Sequence, residues 1–101
     1  MAYSVIRTDE FEREYDSTIV YLIETLKSPA AARNLSDAVL KALKELADNP
    51  FLHSLSRRPL LNDLELRERP VRTYTIVYRV ANDCVYLEHL FHQTQDYGRL
   101  V

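Results

Sequence analysis

The run Thr73-Tyr-Thr-Ile-Val-Tyr-Arg-Val-Ala-Asn-Asp-Cys-Val-Tyr-Leu-Glu-His-Leu-Phe-His92 holds two strand-like segments rich in Tyr, Ile and Val, parted by Ala81-Asn82-Asp83-Cys84. Asn and Asp tolerate the positive φ that a two-residue primed turn demands, so the run reads as a β-hairpin. With Asn82 and Asp83 as its loop, the opposed pairs are Val80/Val85, Tyr78/Leu87, Ile76/His89 and Tyr74/Phe91. Side chains alternate between faces along a strand. One face is therefore nearly all apolar, and His89 on it is expected to be structural. The other collects Thr73, Thr75, Val77 and Arg79 with Tyr86, Glu88, Leu90 and His92. A cation, a carboxylate, a phenol and an imidazole on one surface make it the expected functional face.

Upstream of the hairpin the pattern changes period. Ala2 to Arg7 reads as a short strand, and Thr8 is placed to cap a helix with Asp9 and Glu10 in its first turn. Phe11, Tyr15, Ile19, Leu22, Ile23 and Leu26 then recur at helical spacing and lay down one apolar stripe. Ser28-Pro29 restarts the chain as a cap followed by proline at the first helical position. Ala31, Leu35, Ala38, Val39, Ala42, Leu43 and Leu46 form a second stripe that Asn49-Pro50 ends. Phe51 to Asp63 reads as a loop. Leu64 to Val71 reads as a strand that Pro70 confines to a sheet edge or a strand end. The order is β-α-α-β-β-β: an α+β fold with a helical hairpin packed on a mostly antiparallel four-stranded sheet.

A chain of 101 residues, 47 % hydrophobic and 28 % charged, suits one globular domain over residues 1–101. It has no apolar run long enough for a membrane span, and its N-terminus lacks the pattern of a secretory signal. Cys84 is the one cysteine, which excludes an internal disulfide framework and a cysteine metal cluster. A reducing, cytoplasmic setting with no metal and no cofactor is the expectation. The net charge of −2 hides an uneven distribution. Residues 1–48 hold six Lys or Arg against nine acids, whereas residues 49–79 hold six Arg against three acids. Arginine's planar fork suits anion recognition. Arg57, Arg58, Arg67, Arg69 and Arg72, with Glu88, Gln95 and Asp96 nearby, are therefore candidates for binding RNA or an acidic protein partner.

The element order, the motif Tyr74-x-Ile76-x-Tyr78-Arg79-Val80 and the ending His92-x-x-Gln95-Asp96-Tyr97 together resemble the RelE/ParE superfamily of bacterial toxins over essentially the whole chain. The resemblance implies the toxin of a type II toxin–antitoxin module that arrests growth in the bacterial cytoplasm. It would be held inactive by a cognate antitoxin, in a heterotetramer or larger complex. Two targets follow from the resemblance: DNA gyrase, inhibited without chemistry, or messenger RNA cut on the ribosome. A degenerate, non-toxic antitoxin-binding protein is a third reading.

Ribonuclease chemistry needs a group to take the 2′-hydroxyl proton, cations for the phosphorane-like transition state, and an acid for the leaving oxygen. On the resemblance, His92, Tyr97 and Arg79 are the catalytic candidates. The nucleases often place an arginine where this chain has Thr75, and a cation where it has Gln95. Arg79 lies roughly 13 Å further along the strand, so it does not replace a cation at residue 75. With a sequence pI near 5.9, these departures favour the gyrase reading by a small margin.

Overall fold

Thr8 joins the first strand to the first helix. Its backbone N–H ends the pairing of β1 (Ser4–Arg7) by donating to the Leu87 carbonyl at 3.2 Å, and its hydroxyl donates to the same oxygen at 2.6 Å. That hydroxyl also accepts from the Phe11 N–H at 3.3 Å, capping α1 (Asp9–Val20). Asp9, Glu10 and Glu12 crowd the first turn, where the helix dipole favours negative charge. These contacts come from a computed structural model that describes residues 2–94.

The stripe that begins at Phe11 does not run on through Ile23 and Leu26 as its spacing predicts. Tyr21–Thr25 form a π-helical turn, with Leu26 N–H bonded to the Tyr21 carbonyl at 3.1 Å. A wider turn changes the phase of every residue beyond it. Leu22 is buried, while Tyr21 (49 %), Ile23 (43 %) and Leu26 (53 %) stand exposed at the tip of the hairpin. The chain then reverses through Lys27 at φ 53°. Ser28 accepts from the Ala31 N–H at 3.2 Å, Pro29 occupies the first helical position, and α2 runs over Pro29–Asp48. Its Ala32, Leu35, Val39, Ala42 and Leu46 face the sheet.

Three further strands complete a sheet of order β1-β4-β3-β2, where β2 is Arg67–Val71, β3 is Tyr74–Ala81 and β4 is Cys84–His92. β1 is parallel to β4 and the other pairings are antiparallel, so the sheet is mixed and mostly antiparallel. Asn82 (φ 53°) and Asp83 (φ 63°) form the primed turn their residue types call for. The main core lies between the helices and the front face of the sheet. Phe11, Leu35, Leu46, Ile76, Tyr78 and Leu87 are all at most 1 % exposed there, each burial contributing about 1.5–3 kcal/mol. The Tyr78 hydroxyl donates to the Pro50 carbonyl at 2.7 Å and pins the end of α2 to the sheet.

The segment expected as a loop contains a third helix, α3 (Pro59–Asp63), and it covers the back face of the sheet. Leu61 and Leu66 pack there with Val77 and Phe91 as a second, smaller core. Ser56, only 3 % exposed, holds this lobe together. Its N–H donates to the Leu66 carbonyl (2.8 Å) and its hydroxyl to Glu68 Oε2 (2.5 Å). The Ser56 hydroxyl oxygen accepts from Arg58 N–H (3.1 Å), and the Ser56 carbonyl accepts from Asn62 Nδ2 (3.0 Å).

Candidate functional site

The register of the hairpin departs from the expected one after Leu87. Tyr78 pairs with Leu87, but Val77 pairs with His89, Ile76 with Leu90, Thr75 with Phe91 and Tyr74 with His92. Glu88 is the additional residue of a β-bulge. A bulge shifts all residues beyond it by one, and so moves them to the other face. Leu90 and His92 therefore turn to the front, toward the helices, while His89 and Phe91 turn to the back. The expected pairs Ile76/His89 and Tyr74/Phe91 do not form, and the expected polar face does not exist as one surface.

The bulge separates two of the three catalytic candidates. Arg79 stays on the back face, 3.7 Å from Glu88 and with its guanidinium 4.7 Å from the centre of the Tyr86 ring. His92 faces front, edge-on to Tyr74 at 5.1 Å between rings. Its Nδ1 accepts from the Thr94 N–H (3.1 Å) and lies 2.7 Å from the Thr94 hydroxyl. Tyr97, Gln95 and Asp96 lie outside the described residues. Thr75 is only 3 % exposed, on the face that the α3 lobe covers.

Most of the candidate arginines are engaged within the fold. Arg58 pairs with Glu68 at 3.7 Å and Arg69 with Glu45 at 2.5 Å. Arg67 donates to the His53 carbonyl at 2.7 Å and lies over the Phe51 ring at 4.9 Å. Burial, and next the Arg69 charge, lower the His53 pKa, with Glu45 opposing. Arg57 is exposed on the lobe. Arg72 is exposed on the β2–β3 turn at φ 57°, where Gln93 Nε2 donates to its carbonyl at 3.2 Å.

At that end of the molecule the helical hairpin diverges from the sheet and leaves a front groove of about 1200 Å³. Leu22, Leu26, Ala31 and Leu35 line it from the helices, and Tyr74, Leu90 and His92 from the sheet. Ser17, Thr18, Tyr21, Asn34 and Arg72 give it a polar rim. Burial, with a smaller contribution from Tyr21 opposite, pushes the Tyr74 pKa upward. The helical spacing puts Leu26 in the core and Tyr21 on no particular surface, so the groove differs from the sequence expectation. Its one trace in the sequence is an apolar stripe longer than the sheet it packs on. The arrangement suits an amphipathic segment that buries apolar side chains between helices and sheet and meets Arg72 at the rim.

One carboxylate does structural work between the helix and the sheet. β4 extends past its β1 partner, and Glu14 of α1 takes the vacant edge. Glu14 Oε1 accepts from the Leu90 N–H at 3.0 Å, and the carboxylate lies 3.1 Å from His89 Nδ1. His89 stacks on Phe91 at 4.7 Å. Among the described residues, no cluster of His, Cys, Asp or Glu could hold a metal ion. Among the same residues, no helix is long and apolar enough to cross a membrane.

The fold is a small α+β domain with an apolar groove between its helical hairpin and its sheet. A family model described as the ParE toxin of the parDE type II toxin–antitoxin system matches residues 5–97, and the chain belongs to that family. A solved structure described as the chromosomal ParDE TA system from P. aeruginosa superposes with a TM-score of 0.70 at 15 % identity. The match covers 90 % of this chain and 96 % of that one. A search among curated proteins returned no match.

Proposed function

We propose that this ParE-family toxin arrests bacterial growth by binding DNA gyrase in the cytoplasm, and that it does so without a catalytic step. The observation carrying this reading is the bulge at Glu88, which puts His92 and Arg79 on opposite faces of the sheet. The back face, where an RNA-cutting set was expected, instead carries α3, whose Leu61 packs on Val77 and Phe91. A phosphoryl-transfer site needs its cation and its acid within reach of one phosphate. Those two side chains do not converge on one.

A cognate antitoxin is the partner implied by a parDE module, and the front groove is the place where its amphipathic segment fits. Apolar side chains would enter between Leu26, Leu35 and Leu90, and an acidic residue would meet Arg72. Two experiments test these statements. With purified gyrase, the chain should inhibit supercoiling, while RNA 5′-end maps taken after brief induction should be unchanged. New ends inside translated codons would refute the non-catalytic reading. Leu26→Asp should weaken antitoxin binding at least about tenfold, because it places a charge in an apolar groove. Unchanged affinity would put the antitoxin elsewhere.

A further inference from the structure

The outer seam between the two arms of the helical hairpin carries a second groove of about 560 Å³, lined by none of the residues of the front groove. Its lining is mostly apolar, with Ile19, Val20 and Ile23 from the first arm and Ala32 from α2. Val20 is 51 % exposed and Ile23 43 %, among the larger apolar exposures of the described residues. Val20 ends the regular part of the first arm, and the π-helical turn that follows rotates Ile23 out of the stripe that Phe11 and Leu22 keep buried. Such turns concentrate where a helix surface is used rather than merely packed.

Two charges flank the groove. Asp16 stands on the α1 wall and Arg33 on the α2 wall. Both are exposed, and neither forms an ion pair or hydrogen bond among the described residues, with each other or with anything else. An acid and a base on opposite walls of one apolar groove are self-complementary. A two-fold axis lying in the contact plane and running along the groove places Asp16 of one copy over Arg33 of the other, and the reverse contact follows by symmetry. Each dimer then gains two such pairs around a shared apolar floor. A net charge of only −2 offers little repulsion against that association.

We infer that the outer seam of the helical hairpin is a homodimer interface, occupied by the same seam of a second copy with Asp16 facing Arg33 twice. The front groove opens on the other side of the hairpin, so this pairing leaves it free. The inference does not depend on gyrase as the target or on where an antitoxin docks.

Sedimentation equilibrium on the purified full chain tests it, with circular dichroism to confirm that each variant is folded. The wild type should show a concentration-dependent monomer–dimer equilibrium. D16R alone, and R33D alone, should each weaken the dimer at least about tenfold, because both symmetric contacts become like-charged. The D16R/R33D double variant, with the charges exchanged, should recover to within about threefold of the wild type. V20D, which touches only the apolar floor, should abolish the dimer. A wild type that is monomeric at every concentration overturns the inference. So does a dimer indifferent to the single charge reversals, or a double variant no better than the singles.

Discussion

Removing one oxygen from Tyr78 tests both the packing and the electrostatics of the main core. Tyr78 is 0 % exposed, and its hydroxyl donates to the Pro50 carbonyl at 2.7 Å. Tyr78→Phe keeps the ring and leaves a buried carbonyl without its partner, a loss of about 1–3 kcal/mol at neutral pH. For a domain of this size, each kcal/mol moves Tm by roughly 4–8 °C. Burial, partly offset by Arg67 and then Arg69, raises the Tyr78 pKa to about 12. The unfolded chain releases that proton near pH 10, so between pH 10 and 12 the folded state holds the proton that the unfolded state has lost. The stability tied to the neutral phenol is therefore complete below pH 10 and disappears as pH rises to about 12. Linkage puts it at about 2–3 kcal/mol. The phenylalanine variant has no such group. Urea titrations from pH 7 to 12 should show the two proteins well separated at pH 7 and converging above pH 10. A gap that stays constant with pH, or one below about 0.5 kcal/mol at pH 7, would refute the reasoning.

Three further outcomes follow from particular contacts. Glu14→Ala strips the acceptor from the Leu90 N–H and from His89, and should cost about 1–3 kcal/mol; Glu14→Gln, which keeps an oxygen, should lose less. Amide exchange at Leu90 reads this directly. Ser56→Ala should loosen the α3 lobe more than the sheet, seen as faster exchange and proteolysis over residues 52–66 with little change at Val85 or Leu87. Thr75→Arg, which restores the cation common in the nuclease branch, should not create a ribonuclease. It should instead destabilise the fold by upward of about 3 kcal/mol, because residue 75 is covered and offers the guanidinium no water. Denaturant midpoints and RNA end mapping distinguish these results.

The parts of the fold written in short-range chemistry were legible. Thr8 and Ser28 cap their helices through the expected hydroxyls, and Asn82-Asp83 turns the hairpin with both residues at positive φ. Three other positive-φ residues, Lys27, Glu65 and Arg72, gave no such sign, because nothing in their side chains favours that region. α3 has a short-range signal of its own, since Pro59 before Leu60-Leu61 occupies the first position of a helix. The bulge was not legible. Leu90 and Phe91 are both apolar and both end up buried, on opposite faces, so alternation alone permits either register. The position of the candidate site depended on that choice, which is why its residues scattered while the topology held. The groove is illegible for a related reason, since a π-helical turn alters phase without altering composition.

The bulge also bears on how the two faces of β4 are assigned from its sequence. A residue count begun at the Ile76-Val77-Tyr78 segment keeps chain order beyond Glu88 but inverts inside and outside. A residue beyond Glu88 that is placed by such a count is assigned to the wrong side of the molecule. The converse holds for variation at this position. Loss or gain of a single codon at residue 88 would exchange the surface on which His92 is displayed, a change that no substitution at His92 itself can bring about.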